Sequence, residues 1–389
     1  MDKNRRDFLK KAAIVTGAGI LAGAANPVLA SVVGGSKAPA IQKGGSKKMK
    51  LTFKPYETKF LHQFAVSGSS RAFTELVQVQ IEYDGVVGYG EAVTPPYLGE
   101  SQASVVEFLK RVDLSQFSNP FELDDILTYV DNITAYNAAA KASIDIALHD
   151  LVGKLLGTKW CDIWGYTAAK APATSYTIGI DTPEVVRQKT REAAPYSIIK
   201  VKLGGEEDKE LVKTIREIEP NKPLCVDANQ GWKDKSYALD MIYWCKENGF
   251  IFVEQPIGRY NLDDMAWVTG RSPLPTVAGE SCQRLVDVKK LHGVFSAINI
   301  KLMKCTGMRE AHKMVELARA LDMKIMLGCM SGETSCGISA AAQLSPAIDW
   351  ADLDGNLLIS NDNFTGMKIV NGKITLADLP GVGAVPKKA

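Results

Sequence analysis

Histidine is scarce, with four in 389 residues, and that argues against a histidine-rich metal centre. No Cys-x-x-Cys pair occurs, so the usual signature of a zinc or dithiol redox site is missing. The seven cysteines, Cys161, Cys225, Cys245, Cys282, Cys305, Cys329 and Cys336, are odd in number and irregularly spaced. Such a set is not a disulfide framework. Several lie in apolar runs, where cysteine acts as a small hydrophobe. An excess of one charge is lacking too: 46 basic against 44 acidic side chains leave +2. Without a strongly basic field the chain has no electrostatic hold on nucleic acid. No Gly-x-Gly-x-x-Gly follows any predicted strand, which removes the fingerprint of a dinucleotide-binding sheet.

What is present is an ordinary globular composition: 46% hydrophobic, 23% charged and 8% aromatic. The length suits two domains, or one large barrel with an addition. The first thirty residues stand apart. Asn4-Arg5-Arg6-Asp7-Phe8-Leu9-Lys10 is a charged start with an arginine pair, residues 12–25 carry no charge, and Val28-Leu29-Ala30 offers a small-residue cleavage site. The pattern resembles a twin-arginine export signal and predicts a periplasmic location. A membrane span needs about 20 apolar residues, so this stretch is too short for a permanent anchor. Without residues 1–30 the balance is 41 basic to 42 acidic, so the positive charge came from the leader. Residues 31–48 are mostly Gly, Ser, Lys and Ala and read as a flexible spacer.

Residues 49–165 read as an α+β domain. Leu76-Val-Gln-Val-Gln-Ile-Glu-Tyr83 alternates as a strand, Asp84-Gly85 is a turn pair, and Val86-Val87-Gly88-Tyr89 returns it as a hairpin. Helices are predicted over 102–112 and 135–156. Across residues 166–355 short apolar runs alternate with helices, at 174–180, 198–203, 224–228, 251–253, 275–278, 297–302, 324–327 and 348–353. One helix opens at Thr182-Pro183, an N-cap followed by proline at the first helical position. Eight strands in this rhythm argue for an α/β barrel.

A barrel strand is buried on both faces and should be nearly all apolar. These strands break the rule repeatedly, at one end. Lys200 and Lys202 lie in the second, Asp227 ends the third, Glu254 the fourth, Glu280 the fifth, Lys301 the sixth, and Asp352 and Asp354 the eighth. The C-terminal mouth of a barrel is where its chemistry is built. Residues two apart share a side of a strand, so Lys200 and Lys202 are expected to crowd one mouth, lowering a lysine's pKa enough to make it a base. Asp227, Glu254 and Glu280 come from consecutive strands and repel one another unless a cation intervenes. Hard oxygen donors without Cys or His argue for Mg²⁺, with Mn²⁺ also compatible.

Lys-Val-Lys, Val-Asp-Ala-Asn-Gln-Gly-Trp, Val-Glu-Gln-Pro, Gly-Glu-Ser and Ile-Asn-Ile-Lys-Leu-Met-Lys, with Gly88-Tyr89-Gly90-Glu91-Ala92 and the Ala-Leu-His-Asp-Leu-Val-Gly-Lys helix, resemble the enolase superfamily, muconate-lactonizing subgroup. The resemblance covers nearly all of the chain from Met49. It implies a modified (β/α)₇β barrel with an α+β capping domain, to which residues 356–389 return. At strand five the subgroup has Asp-Glu-Ser where this chain has Gly279-Glu280-Ser281, so Glu280 is expected to stand in as metal ligand.

Asp352-Leu353-Asp354 is similar to the pair with which dipeptide epimerases of the superfamily hold a free α-ammonium. The implied activity is a Mg²⁺-dependent 1,1-proton transfer through an enolate, with Lys202 and Lys301 as the two bases and Lys200 adding positive charge. The substrate is a dipeptide, with L-Ala-D-Glu or L-Ala-L-Glu leading, which would place the enzyme in cell-wall peptide metabolism. By the same resemblance Thr177 touches substrate, and Cys329 and Ser331 sit in a substrate-lining turn, Gly328 to Thr334, that carries an added residue. Arg71, in a capping loop over residues 67–73, could pair with a side-chain carboxylate. N-acylamino-acid racemase, o-succinylbenzoate synthase and cycloisomerase activities share the lysines and metal and remain as alternatives, as does a secreted non-catalytic peptide-binding protein. A homo-oligomer is left open.

Overall fold

The computed structural model describes residues 48–66, 69–94 and 96–388. The expected leader, and all but the last residue of the expected spacer, lie outside them. The capping region opens with an antiparallel sheet in the order β1 (Lys50–Val66), β2 (Ser69–Tyr83), β3 (Val86–Val93). The predicted hairpin is β2 and β3, paired through Tyr83 and Val86. Asp84 and Gly85 both have positive φ, 53° and 76°, as a two-residue hairpin turn of the primed type requires.

The long strand β1 was not anticipated. Pro55 interrupts its pattern, which is tolerated because β1 is the sheet edge. Its register with β2 slips between Lys59 and Phe64. Phe60 bridges to Ile359 there, and the Leu61 N–H donates to the Leu358 carbonyl at 2.9 Å. The bulge thus hands spare backbone groups to the C-terminal segment. Arg71, expected in a loop, instead lies in β2 opposite Phe64. Ladder pairing with β1 overrides the turn-like Gly and Ser content before it.

Helices α1 (Gln102–Leu109), α2 (Leu123–Asn132), α3 (Ala138–Leu156) and the short α4 (Trp160–Ile163) follow. A Cβ at Gly88 would overlap the Ala147 carbonyl and Leu151, and one at Gly90 would overlap the Ser143 carbonyl. Both glycines exist to let α3 lie against β3. Helix α3 is buried from Ala139 through Gly153, so its charges must be paired. Lys141 bonds Asp131 at 2.9 Å. The Asp145 carboxylate accepts from the Met308 and Arg309 N–H groups. Asp150 accepts from Lys154 at 2.6 Å, the Tyr89 N–H at 2.9 Å and the Val382 N–H at 3.0 Å. One helix therefore ties together the cap sheet, a barrel helix and the C-terminal segment.

Eight parallel strands form the barrel: β4 (Ser175–Ile178), β5 (Ile198–Lys202), β6 (Leu224–Asp227), β7 (Phe250–Glu254), β8 (Thr276–Ala278), β9 (Ala297–Ile300), β10 (Lys324–Gly328) and β11 (Trp350–Asp352). Each overlaps one of the predicted apolar runs. They pair in chain order, and a parallel bridge from Thr174 to Ala351 joins first to last. Helices α5 (Pro183–Glu192), α6 (Asp208–Arg216), α7 (Lys235–Glu247), α8 (Leu262–Thr269), α9 (Leu285–Leu291), α10 (Met308–Ala320) and α11 (Ser335–Ala342) each follow a strand. Pro183 occupies the first turn of α5 as predicted, although Thr182 makes no side-chain capping bond. After β11 comes only a 3₁₀ turn, Gly355–Leu357, so the barrel is (β/α)₇β. The remaining chain forms the small pairs β12 (Phe364–Thr365) with β15 (Val385–Pro386) and β13 (Lys368–Val370) with β14 (Lys373–Thr375). It meets the cap sheet where the Tyr56 hydroxyl donates to the Asn361 carbonyl at 2.6 Å and Gln78 donates to Asn363 at 2.8 Å.

A buried acid clasps cap to barrel. The Glu91 carboxylate, at the end of β3, accepts from the Thr334 N–H and hydroxyl at 2.9 and 2.5 Å and from the Gly337 N–H at 3.1 Å. These donors are the first turn of α11, where a helix favours negative charge. Burial nevertheless raises Glu91 to about 7, against those bonds. Glu333 beside it accepts the Met330 N–H at 2.6 Å through Oε1, while its buried Oε2 has no partner among the described residues. Burial and the Glu91 charge push Glu333 up to about 8. Both values lie above the ordinary 4.5, so the folded protein holds protons that the unfolded chain has released. Stability present below that ordinary value is expected to be lost as pH rises through 7 to 8. Calorimetric Tm across this range checks it. Glu333→Gln, which cannot ionise, should flatten the fall, and an unchanged slope would place the titrating group elsewhere.

Candidate active site

Parallel register lines up the charged strand ends. Lys202 pairs with Asp227, Asp227 with Glu254, and Thr177 with Lys200. Lys200 and Lys202 both face inward as their spacing predicted, with Lys200 fully buried. Its ammonium contacts Asp352 at 2.6 Å, Glu254 at 2.8 Å and Asp227 at 3.3 Å. Lys202 contacts Asp227 at 2.7 Å.

At Lys200 this corrects the expectation that crowding lowers a lysine's pKa. Burial alone would lower Lys200, but Asp352, Glu254 and Asp227 outweigh it and hold it well above the ordinary lysine range. Lys301 is likewise raised, with Tyr97, Glu254 and Asp227 outweighing burial. Lys200 stands among carboxylates, and there the opposite charge decides the sign. Asp227 is held far down for the complementary reason: burial opposes ionisation, and Lys202, Lys200 and Lys301 overcome it.

Glu280 lies just beyond β8, facing the same mouth, and accepts from Asn229 Nδ2 at 3.1 Å. Burial first, then the charges of Asp227 and Glu254, raise it. The charges of Asp227 and Glu254 thus reach Glu280 and oppose its ionisation. Gly279 makes room for this: a Cβ there would stand 2.7 Å from Glu254 Oε1. Among the described residues no three acidic, His or Cys side chains stand in ready metal-ligand geometry. The carboxylates instead accept from Lys200, Lys202, Asn229 and Asn299, the last donating to Glu254 at 2.6 Å. The donor set still fits a hard divalent cation. It is all oxygen, its mutual repulsion is what such a cation relieves, and the buried Asn229 Oδ1 lacks a partner among the described residues.

Asp352 ends β11, but Asp354 does not continue the strand; it lies in the turn that starts the 3₁₀ helix. Its carboxylate makes no cap bond there and instead accepts the Thr177 N–H at 2.6 Å. Asp352 accepts from the Ser175 hydroxyl at 2.9 Å and the Thr177 hydroxyl at 3.4 Å. Burial and the Asp352 charge raise Asp354 to about 7.

The turn after β10 faces this mouth from the cap side. Arg71 donates to the Ser331 carbonyl at 3.3 Å and lies 5.7 Å from the Phe60 ring centroid. Thr74 also donates to the Ser331 carbonyl, and Thr58 to the Gly332 carbonyl. The Cys329 N–H donates to the Asp352 carbonyl at 3.1 Å, and its buried thiol is raised well above the ordinary value by burial.

Several site residues escaped the sequence reading. Tyr97 places its hydroxyl 3.6 Å from Met330 Sδ, within electrostatic reach of Lys301 and the three acids. Gln255 accepts the N–H groups of Gly279 and Ser281 at 3.1 and 3.0 Å, holding the turn that carries Glu280. Its φ of 39°, with 45° at Asn229 and 67° at Gln230, marks strained strand ends of the sort found at functional sites. Asn299 and Lys304 were legible only as polar interruptions in Ile-Asn-Ile-Lys-Leu-Met-Lys; nothing local signalled Tyr97.

Residues 184–389 match the enolase C-terminal domain-like family, and residues 51–165 match the mandelate racemase / muconate lactonizing enzyme N-terminal domain. The chain belongs to the enolase superfamily, in its mandelate racemase / muconate lactonizing branch. It is 60% identical, over 98% of its length and 99% of the relative's, to the L-Ala-D/L-Glu epimerase of Bacteroides thetaiotaomicron. A substrate-liganded L-Ala-D/L-Glu epimerase structure from Bacillus subtilis superposes with a TM-score of 0.82 at 26% identity, covering 88% of this chain and 100% of that one. The dipeptide epimerase of Enterococcus faecalis complexed with Mg and L-Leu-L-Tyr has a TM-score of 0.80 at 32% identity, covering 87% and 99%. These relatives are epimerases, an isomerase class.

Removing the Lys200 charge should expose what it compensates. Breaking one partner of a buried ion cluster costs about 3–5 kcal/mol, because the remaining charges stay buried unpaired. Lys200→Met is expected to lose stability on that scale in urea unfolding. A loss below about 1 kcal/mol would mean the three acids are neutralised some other way.

Proposed function

We propose that the protein is a Mg²⁺-dependent dipeptide epimerase that inverts the α-carbon of the C-terminal residue of L-Ala-D/L-Glu or a closely similar dipeptide. The observation that carries the reading is the Asp352 and Asp354 pair, two buried carboxylates side by side, one raised to about 7 by burial and its neighbour's charge. A free α-ammonium relieves that repulsion and is itself compensated by it. The 60% identity to an L-Ala-D/L-Glu epimerase supports the same substrate class.

Asp227, Glu254 and Glu280 would hold the cation, Mg²⁺ first and Mn²⁺ as an alternative. When bound, it draws electron density from the substrate carboxylate and so acidifies the adjacent α-proton. Lys202 and Lys301 come from β5 and the end of β9, across the barrel mouth from each other. One takes the α-proton and the other returns a proton to the opposite face, which inverts the centre. Lys200, locked beneath the acids, stays protonated and supplies fixed positive charge. Thr177 orients Asp354 through its N–H and Asp352 through its hydroxyl. Arg71, with the turn carrying Cys329 and Ser331, borders the site from the cap and is assigned to the substrate side chain. The arginine-pair leader over residues 1–30 fits an exported enzyme acting on cell-wall peptides, a location that cell fractionation tests.

Asp354→Asn should cost roughly 2 kcal/mol or more in transition-state binding, or about 30-fold in kcat/KM on a free dipeptide. An N-acetylated analogue offers no ammonium and should lose much less. Equal losses would make the pair structural, and a wild-type preference for the N-acetylated substrate would replace this reading with N-acylamino-acid racemisation.

Chelation should abolish turnover and added Mg²⁺ restore it. Glu280→Gln should weaken Mg²⁺ binding, followed by calorimetric titration, more than Ser281→Ala does. Unchanged affinity in Glu280→Gln would put the third ligand elsewhere.

A further inference from the structure

Lys304 is 1% exposed, yet among the described residues it forms no ion pair. Its ammonium donates instead to two backbone carbonyls, Gly279 at 2.6 Å and Asn299 at 2.8 Å. Burying a cation without a counter-charge is costly, and an apolar side chain of the same length would fill the space more cheaply. That cost points to what the ammonium holds in place.

The two carbonyls belong to adjacent strand ends. Gly279 precedes Glu280, and its turn is gripped from the other side by Gln255, which accepts the Gly279 and Ser281 N–H groups. Asn299 precedes Lys301 by two residues, and its side chain holds Glu254. Lys304 also closes the turn that follows β9, donating its own N–H to the Lys301 carbonyl at 2.9 Å. The Lys301 side chain passes close over Gly328, where a Cβ would lie 3.2 Å from its Cε. The backbone of Lys301 is therefore pinned by Lys304, and its stem is confined by the next strand.

We infer that Lys304 is a positioning residue for Lys301: its buried ammonium clamps the ends of β8 and β9 and so aims one of the two bases at the α-carbon. The inference rests on the two-lysine reading above. The Lys304 ammonium donates to backbone carbonyls and not to a charged side chain of the site. Its effect is transmitted through backbone geometry, where a misplacement of about 1 Å can cost 10²-fold in rate.

The test follows α-proton exchange in D₂O, by mass spectrometry, from L-Ala-L-Glu and L-Ala-D-Glu separately, at saturating Mg²⁺. Lys202→Ala and Lys301→Ala calibrate which base serves which epimer. Lys304→Met keeps the side-chain length and removes the donor. It should slow exchange from the Lys301-dependent epimer by about tenfold or more relative to the other. Lys304→Gln, which keeps an N–H donor, should recover part of that loss. A general structural defect or a weakened metal site would slow both epimers alike, so an equal loss, or none, overturns the inference. If Lys304→Met does not fold, Lys304→Gln is read in the same assay, and the same asymmetry decides. Failure of the underlying reading looks different: the wild-type enzyme exchanges neither epimer, or the two calibrating variants show no opposite preference, and the inference then falls with it.

Discussion

One buried ammonium governs the charge balance of this barrel. Lys200 is fully enclosed, and three carboxylates from three different strands close on it at 2.6 to 3.3 Å. None of those acids could be buried as an anion without compensation. Through them Lys200 reaches most of the site. Asp227 passes the interaction to Lys202, Glu254 passes it to Asn299, and Asp352 passes it to Ser175 and Thr177 on the first strand. The barrel closes where Thr174 meets Ala351, next to that last contact. Closure of the fold and assembly of the site are thus served by neighbouring residues.

The mouth is completed from outside the barrel. The turn after β10 is held by hydrogen bonds from Thr58, Arg71 and Thr74 on the cap strands, and Glu91 holds the start of the following helix. Tyr97 adds a hydroxyl from the cap to the region around Lys301. The cap thus borders the mouth, while the charged side chains that line it stand on or just beyond the barrel strands.

The charged ends of the barrel strands stood out because a strand buried on both faces has almost no tolerance for charge. Each exception, Lys200, Asp227, Glu254, Glu280, Lys301 or Asp352, announced itself against an apolar background. Gly88-Tyr89-Gly90 was legible only as a hairpin strand and a family motif; that its glycines admit a helix against β3 shows only in the packing. The strand β1 was not legible, because its alternation is broken by Pro55 and its bulge is satisfied by residues some 300 positions away. Arg71 was misplaced for the same reason: only pairing with β1 makes a strand of that segment.

What the sequence by itself determined is which residue types stand at the barrel mouth and in what order, because periodicity and burial are local properties of a strand. It also carried the departure at Gly279, where the neighbouring Glu280 had to be considered. Tertiary structure decided how those groups act on one another. It turned Lys200 from a candidate depressed lysine into a firmly charged one, moved Asp354 off the strand into a turn against Thr177, and recruited Gln255, Asn299 and Lys304 to hold the ends of strands. Electrostatic shifts and hydrogen bonds depend on distances of a few ångströms between residues far apart in the chain. Only the folded register sets those distances.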